Sequence, residues 1–225
     1  MSPPAQDWTH SPERGSLLLV RFMAWLSLAL GRGATRLLVR VIALYFFATA
    51  ARARRASRDY LRRCLGREPT LAERHGLFLN FASTVHDRVY FLSDRFEPFE
   101  ITTQGTATVD EGALVGLLAD RTLGDEPVIR VPFLGEPAAF PTGPMRMAAA
   151  LRQRVIFMAG TYQGGNRYEI TFEPLADFTD LADVSRAERS RLVNAAVERY
   201  VERLEYHCRR SPGNWFNFHD FWKRA

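Results

Sequence analysis

Near residue 98 the hydrophobic period of this chain changes, and that change fixes its fold class. Before it, apolar residues follow helical spacing: Leu71, His75, Phe78, Leu79 and Ala82 share one face of a helix within EPTLAERHGLFLNFASTVHDRVYFLSDR. After it, short apolar runs alternate with turn residues. FEITTQG reads as a strand, ALVGLLA (113–119) as a fully buried one, and PVIRVPFLG (127–135) as another. PTGPMRMAAALRQR opens a helix, with Thr142 at its N-cap and Pro144 in its first turn. RVIFMAG (154–160) and YEITFEPL (168–175) are further strands, joined through the hairpin candidate TYQGGNR. In DVSRAERSRLVNAAVERYVERLEYHCRR, Ser185 and Glu188 form a capping-box pattern, and Val193, Val197, Tyr200 and Leu204 make an apolar stripe. Strand, crossover, helix, strand predicts an α/β domain, here a mixed sheet flanked by helices.

Ahead of that domain lie two interrupted apolar runs. SLLLVRFMAWLSLALG (16–31) contains Arg21 and Trp25, and LLVRVIALYFFATAA (37–51) contains Arg40. Sixteen helical residues span about 24 Å, less than the roughly 30 Å of a bilayer's hydrocarbon core. Arg32, Arg36 and Arg40 recur every four residues and share one helical face, while Leu37, Leu38, Val41, Ile42 and Tyr45 fill much of the rest. Arg52, Arg54, Arg55, Arg58, Arg62 and Arg63 follow. An apolar body with a cationic face suits the headgroup boundary of an anionic membrane, and Trp25, Arg32, Arg36 and Arg40 are the candidate contacts. A buried core helix followed by a solvated arginine-rich helix is the alternative. The expected organisation is a membrane-associated helical segment over 1–57 and an α/β domain over 58–225.

The formal charge of +5 and the pI near 9.6 come from arginine, since Lys223 is the only lysine. No zinc-finger spacing or aromatic-basic RNA motif accompanies the charge, which argues against nucleic acid as partner. Asp7 and Glu13 stand where a secretory leader would be basic. Cys64 and Cys208 match no metal-ligand spacing and read as two reduced thiols. In the tail SPGNWFNFHDFWKRA the aromatics predict packing against the domain or the membrane.

Ligands of open α/β sheets collect beyond the carboxyl ends of strands. In GALVGLLADRTLGDEP, Asp120 and Arg121 occupy such a place, and Arg121 could clamp a phosphate or carboxylate with its fork of donors. An internal Asp-Arg salt bridge is the alternative. His75 on its apolar face reads as packing. His86 and Asp87 are neighbours on a helix, so their side chains diverge by about 100° and are not expected to pair.

Three features resemble the lysophospholipid acyltransferase-like superfamily, in particular the lipid A late acyltransferases and their relatives. They are the N-terminal helices with DYLRR and HDRVYFL, the block GALVGLLADRTLGDEPVIRVPFLGEPAAFPTGPMRMAAALRQRVIFMAG, and the ending SPGNWFNFHDFWKRA. The resemblance runs over most of residues 15–224. It implies a glycerolipid-acyltransferase-like fold and fatty acyl transfer from an acyl carrier protein or acyl-coenzyme A to a hydroxyl. The acceptor would be a lipid or saccharide-lipid at the cytoplasmic face of the bacterial inner membrane, with no metal or cofactor. It also marks Asp120, Arg121, Phe133, Gly135 and Thr142 as candidate substrate-binding residues.

Chemistry in that superfamily needs a histidine base with a carboxylate five residues later. Five residues after His10, His75, His86, His207 and His219 stand Gly15, Asn80, Phe91, Pro212 and Arg224, none acidic. The segment expected to precede the motif, ITTQGTATVD, runs straight into EGALVGLLADR. The chain is therefore expected to be internally shortened near residue 110 and catalytically impaired. A non-enzymatic lipid- or acyl-chain-binding protein at the membrane, using Phe133, Leu134 and the aromatic tail, is the alternative. A third possibility is a chain with no stable fold, because losing a central strand leaves unpaired edges.

Overall fold

The computed structural model describes residues 17–109, 114–121, 126–181 and 183–222, without the side chains of 17–23. His10, Lys223 and residues 122–125 of the ADRTLGDEP block lie outside the described residues. Helix α1 (Leu17–Thr49) bends at Gly31, whose φ of 79° is open to a residue without a Cβ. Helix α2 (Ala51–Leu65) leaves it at 94° and ends on Gly66 in the left-handed conformation. Arg54 makes this elbow, its guanidinium binding the terminal carbonyls of Phe47 and Ala48. Helix α3 (Leu71–Phe91) starts with a full capping box: Glu73 N donates to Thr70 Oγ1 and Thr70 N to Glu73 Oε2. No single described helix is long and apolar enough to cross a membrane, although the bent α1–α2 pair reaches that length and composition.

Strand β1 (Glu100–Gln104) runs parallel to β5 (Arg167–Asp177), which pairs antiparallel with β4 (Arg154–Tyr162), so the sheet order is β1-β5-β4. β1 closes on Gly105, where a Cβ would lie 2.0 Å from the carbonyl oxygen of Phe172. A separate hairpin is formed by β2 (Val128–Phe133) and β3 (Glu136–Pro141). Its turn is Leu134–Gly135, both with positive φ (52° and 87°), as a two-residue hairpin of right-handed twist requires. EPAAFP, left unassigned between the expected strand and helix, is thus a strand. Helices α4 (Gly143–Ala150) and α5 (Arg186–Arg210) complete the α/β part. Ser185 Oγ accepts from Glu188 N at 3.2 Å, the forward half of the predicted box.

ALVGLLA is not a buried strand. Residues 114–118 are coil and well exposed (Leu114 68%, Val115 82%, Leu118 75%). A strand buried on both faces needs a neighbour to take its backbone hydrogen bonds, and neither described sheet pairs with this segment.

The core instead gathers around the hairpin and the tail. Phe133 is fully buried, stacked on Trp222 and edge-on to Phe140, Trp215 and Phe221. Each such aromatic contributes about 1.5–3 kcal/mol by burial, with a further increment from ring geometry. α2 and α5 meet here as well. Tyr60 packs edge-on against Trp215 and donates to the Pro212 carbonyl at 3.0 Å, and the Cys64 thiol donates to the Cys208 carbonyl at 3.1 Å. Both thiols are free and buried, and burial pushes both up from the usual thiol pKa. α2 runs unbroken through residue 57, and it is Tyr60, Leu61 and Cys64 that enter this core.

Candidate functional site: the Asp120–Arg121 corner

Coil 114–121 ends at the aromatic core, and there the indole of Trp215 donates from Nε1 to Asp120 Oδ2 at 3.2 Å. The tail therefore holds the carboxylate, as expected of a terminus too aromatic to stay in solvent. Arg121 Nε lies 3.8 Å from Asp120 Oδ1, with the guanidinium 40% exposed and the carboxylate 14%. At that distance the pair is a loose electrostatic contact, so Arg121 keeps donors for an anion. The Asp120 charge also acts inward: burial and then that charge push the Tyr200 phenol well above its usual range.

The other candidate residues frame this corner from inside. Phe133 is core, and its carbonyl accepts from Trp222 Nε1 at 3.3 Å. Leu134 is buried too, with its backbone N–H donating to Glu205 Oε2 at 2.6 Å. Neither side chain reaches a ligand without repacking. Gly135 forms the hairpin turn. Thr142 stands at the N-cap of α4, but no cap bond forms from its side chain. Its hydroxyl and its N–H both donate to the Pro127 carbonyl, closing the base of the hairpin.

Among the described residues, His86 and His207 lie beside carboxylates, and both imidazoles are buried. His207 Nε2 is 3.0 Å from Glu173 Oε1, stacked on Phe157, with Arg203 on the same carboxylate. Burial alone would raise the Glu173 pKa, but hydrogen bonds from Arg203 and His207 hold it below the usual carboxylate value. No local pattern signals this pair, whose members are 34 residues apart. His86 Nδ1 approaches Asp87 Oδ1 to 3.5 Å, closer than helix geometry predicted, because both side chains fold toward α1. That is ion-pair range, while Nε2 makes the shorter contact, 2.9 Å to Thr35 Oγ1. His75 packs edge-on against Phe47, in keeping with a packing role.

Asp87 has no side-chain exposure and is the hub of the helical part. Arg32 donates to both its oxygens (2.9 and 3.1 Å), and Arg36 (2.7 Å) and Tyr168 (2.7 Å) donate to Oδ2. Burial raises its pKa, but contacts from His86, Arg32, Tyr168 and Arg36 outweigh that and leave it below the usual aspartate value. Arg32 and Arg36, expected on a membrane-facing stripe, thus reach inward, whereas Arg40 and Trp25 are exposed. Among the described residues no three His, Cys, Asp or Glu side chains converge as metal ligands would.

The corner is thus an acidic-basic pair held by the aromatic tail on an α/β scaffold. The family model for bacterial lipid A biosynthesis acyltransferase matches residues 104–224, more than half of the chain, and the chain belongs to that family. The match takes in the ADRTLGDEP block and the aromatic ending, while α1, α2, α3 and most of β1 precede it. A search of curated proteins found no match.

Proposed function

We propose that this chain is a catalytically impaired member of its family that retains the acyl-donor and lipid-acceptor side of the site. The ancestral reaction is attack of a lipid or saccharide-lipid hydroxyl on an acyl thioester carried by acyl carrier protein or coenzyme A. The new ester forms as the carbon–sulfur bond breaks, and the hydroxyl proton leaves with the thiol. It would proceed at the cytoplasmic face of the bacterial inner membrane. Arg121 binds a phosphate of donor or acceptor, and Asp120, held by Trp215, lies beside that guanidinium as a loose counter-charge. One observation supports the impairment: among the described residues, His86–Asp87 and His207–Glu173 pair an imidazole with a carboxylate, and in both the imidazole is buried and the carboxylate is engaged by arginine. Loss of a general base costs about 10²–10⁴-fold.

The test is to incubate the protein in vesicles with a labelled acyl thioester and lipid acceptors, beside a family member that carries the histidine motif. The expected outcome is turnover lower by about 10²-fold or more. Comparable turnover refutes the impairment. A second reading, lipid or acyl-chain binding without chemistry, is favoured by a cleft of about 420 Å³ floored by Val155, Ile156, Pro174, Leu175 and Ala176, with Arg154 and Arg199 at its edge. Saturable binding of a fatty acid that is lost in Ile156→Asp would support it.

A further inference from the structure

Strand β4 is an edge of its sheet: β5 pairs with one side, and among the described residues no strand pairs with the other. Its outward groups follow from the ladder. Gln163 N donates to the Arg167 carbonyl across the β4–β5 turn, so by alternation Phe157, Ala159 and Thr161 face β5. Met158, Gly160 and Tyr162 face away. Tyr162 agrees, since its N–H and carbonyl both bind the Asn214 side chain, at 2.7 and 3.2 Å. That side chain caps one end of the open edge, and the register shift at Val155–Ile156 bounds the other. Between them runs Ile156–Gly160, with Met158 65% exposed and open space around Gly160.

The other described edges are blunted. β1 is polar at Glu100, Thr102, Thr103 and Gln104. In the β2–β3 hairpin the pair Phe133–Glu136 closes the turn, which leaves Pro132, Pro137 and Pro141 facing outward without an N–H. β4 has no such guard. The same chain carries an apolar run of matching length that has no ladder. Leu114–Leu118 is exposed coil, ended by the buried Ala119 and by the Asp120–Trp215 bond.

We infer that two copies of this chain associate by strand exchange, the Leu114–Leu118 segment of each adding to the β4 edge of the other. Fully extended, that segment reaches about 17 Å, the length of the open edge. It is apolar on both faces, as a strand in this place must be. One face continues the buried side of β4 at Phe157, and the other covers the exposed side at Met158. Charge and length select the occupant. Neither Leu114–Leu118 nor Ile156–Gly160 contains a charged residue, so an acidic or basic partner gains nothing here, whereas the chain itself holds a run of the right length. Reciprocal exchange closes after two copies and leaves neither β4 edge open. The inference stands apart from whether acyl transfer occurs.

Sedimentation equilibrium of the full chain over a concentration series tests this. The expected result is a reversible monomer–dimer equilibrium, with thermolysin cleavage among Leu114–Leu118 fast in the dilute monomer and slowed as dimer forms. Val115→Lys with Leu118→Lys, both at exposed coil positions, should raise the dimer Kd more than about tenfold. Met158→Pro removes an outward donor and no bond of the β4–β5 ladder, and it should act in the same direction. Circular dichroism should show each variant folded as the parent is. A peptide of residues 114–121, LVGLLADR, should bind the Val115/Leu118 variant and not the Met158→Pro variant, which separates this exchange from direct pairing of two β4 edges. A single-chain mass at every concentration, growth beyond two copies, a dimer unchanged by the Val115/Leu118 substitutions, or a peptide indifferent to Met158→Pro would overturn the inference.

Discussion

Replacing Asp87 by alanine tests the central joint of the helical part. The carboxylate is fully buried and receives Arg32, Arg36 and Tyr168, so its removal leaves two guanidiniums 16–17% exposed with no counter-charge, and one phenol without its acceptor. Breaking a buried pair from one side costs about 3–5 kcal/mol. For a chain of this length that lowers Tm by roughly 6–20 °C. The pH dependence has a definite sign. The folded-state pKa of Asp87 is depressed, so its contribution is complete above the usual aspartate value and disappears as pH falls through the folded value. Thermal unfolding of parent and Asp87→Asn should therefore differ most near neutrality and converge in acid. Asp87→Ala should be the worse of the two variants, because asparagine keeps an acceptor. A loss below about 1 kcal/mol at neutral pH, within the range of an exposed ion pair, would refute the claim that this carboxylate welds α1, α3 and β5 together.

Trp215→Phe keeps an aromatic ring in the cluster but removes the N–H bound to Asp120 and part of the indole's packing, so the hydrogen-bond loss is a lower bound. Since hydrogen bonds to charged groups contribute about 1.5–3 kcal/mol, unfolding should shift by at least that much, and Asp120→Ala added to it should cost little more in a double-mutant cycle. Glu173→Gln strips Arg203 and His207 of their shared charge, for an expected loss of about 1–3 kcal/mol. The Glu173 pKa is depressed too, so the deficit should fade in acid, as monitored by denaturant melts across pH. Limited thermolysin digestion should cut first among Leu114–Leu118, the exposed apolar coil. First cleavage inside α5 would contradict that ordering.

What the sequence disclosed was local. The period of α3, the Ser185 cap and the Gly-Gly hairpin between β4 and β5 all act within a few residues and formed as expected. The Thr70–Glu73 capping box was equally legible and could have been found from TLAE alone. The β2–β3 turn was hidden, because Leu134 is an unusual residue at positive φ and is tolerated there through its buried side chain. ALVGLLA failed for the opposite reason: its composition states that it can be buried, but not whether a neighbouring strand exists to bury it. The arginine stripe had the correct spacing and the wrong direction for two of its members. The partner that turns them, Asp87, lies more than fifty residues away. Contacts at such separation leave no mark on a single sequence, and the His207–Glu173 pair and the Cys64–Cys208 approach were illegible for the same cause.

The core draws on the hairpin, the tail and the sheet together. The aromatic cluster of Phe133, Phe140, Trp215, Phe221 and Trp222 joins the β2–β3 hairpin to the tail, with α2 and α5 alongside. The three-stranded sheet joins the same core through Phe157 and Leu175, and polar bonds hold it further, at one end through Asp87–Tyr168 and at the other through Glu173 with Arg203 and His207. The β1 edge blunts itself with Glu100, Thr102, Thr103 and Gln104, polar groups that discourage pairing with another chain. The remaining liability is concentrated in residues 114–118, an apolar segment without a ladder, next to the Asp120–Arg121 corner. A strand or a bound partner laid against this segment would take up its backbone hydrogen bonds and cover its leucines.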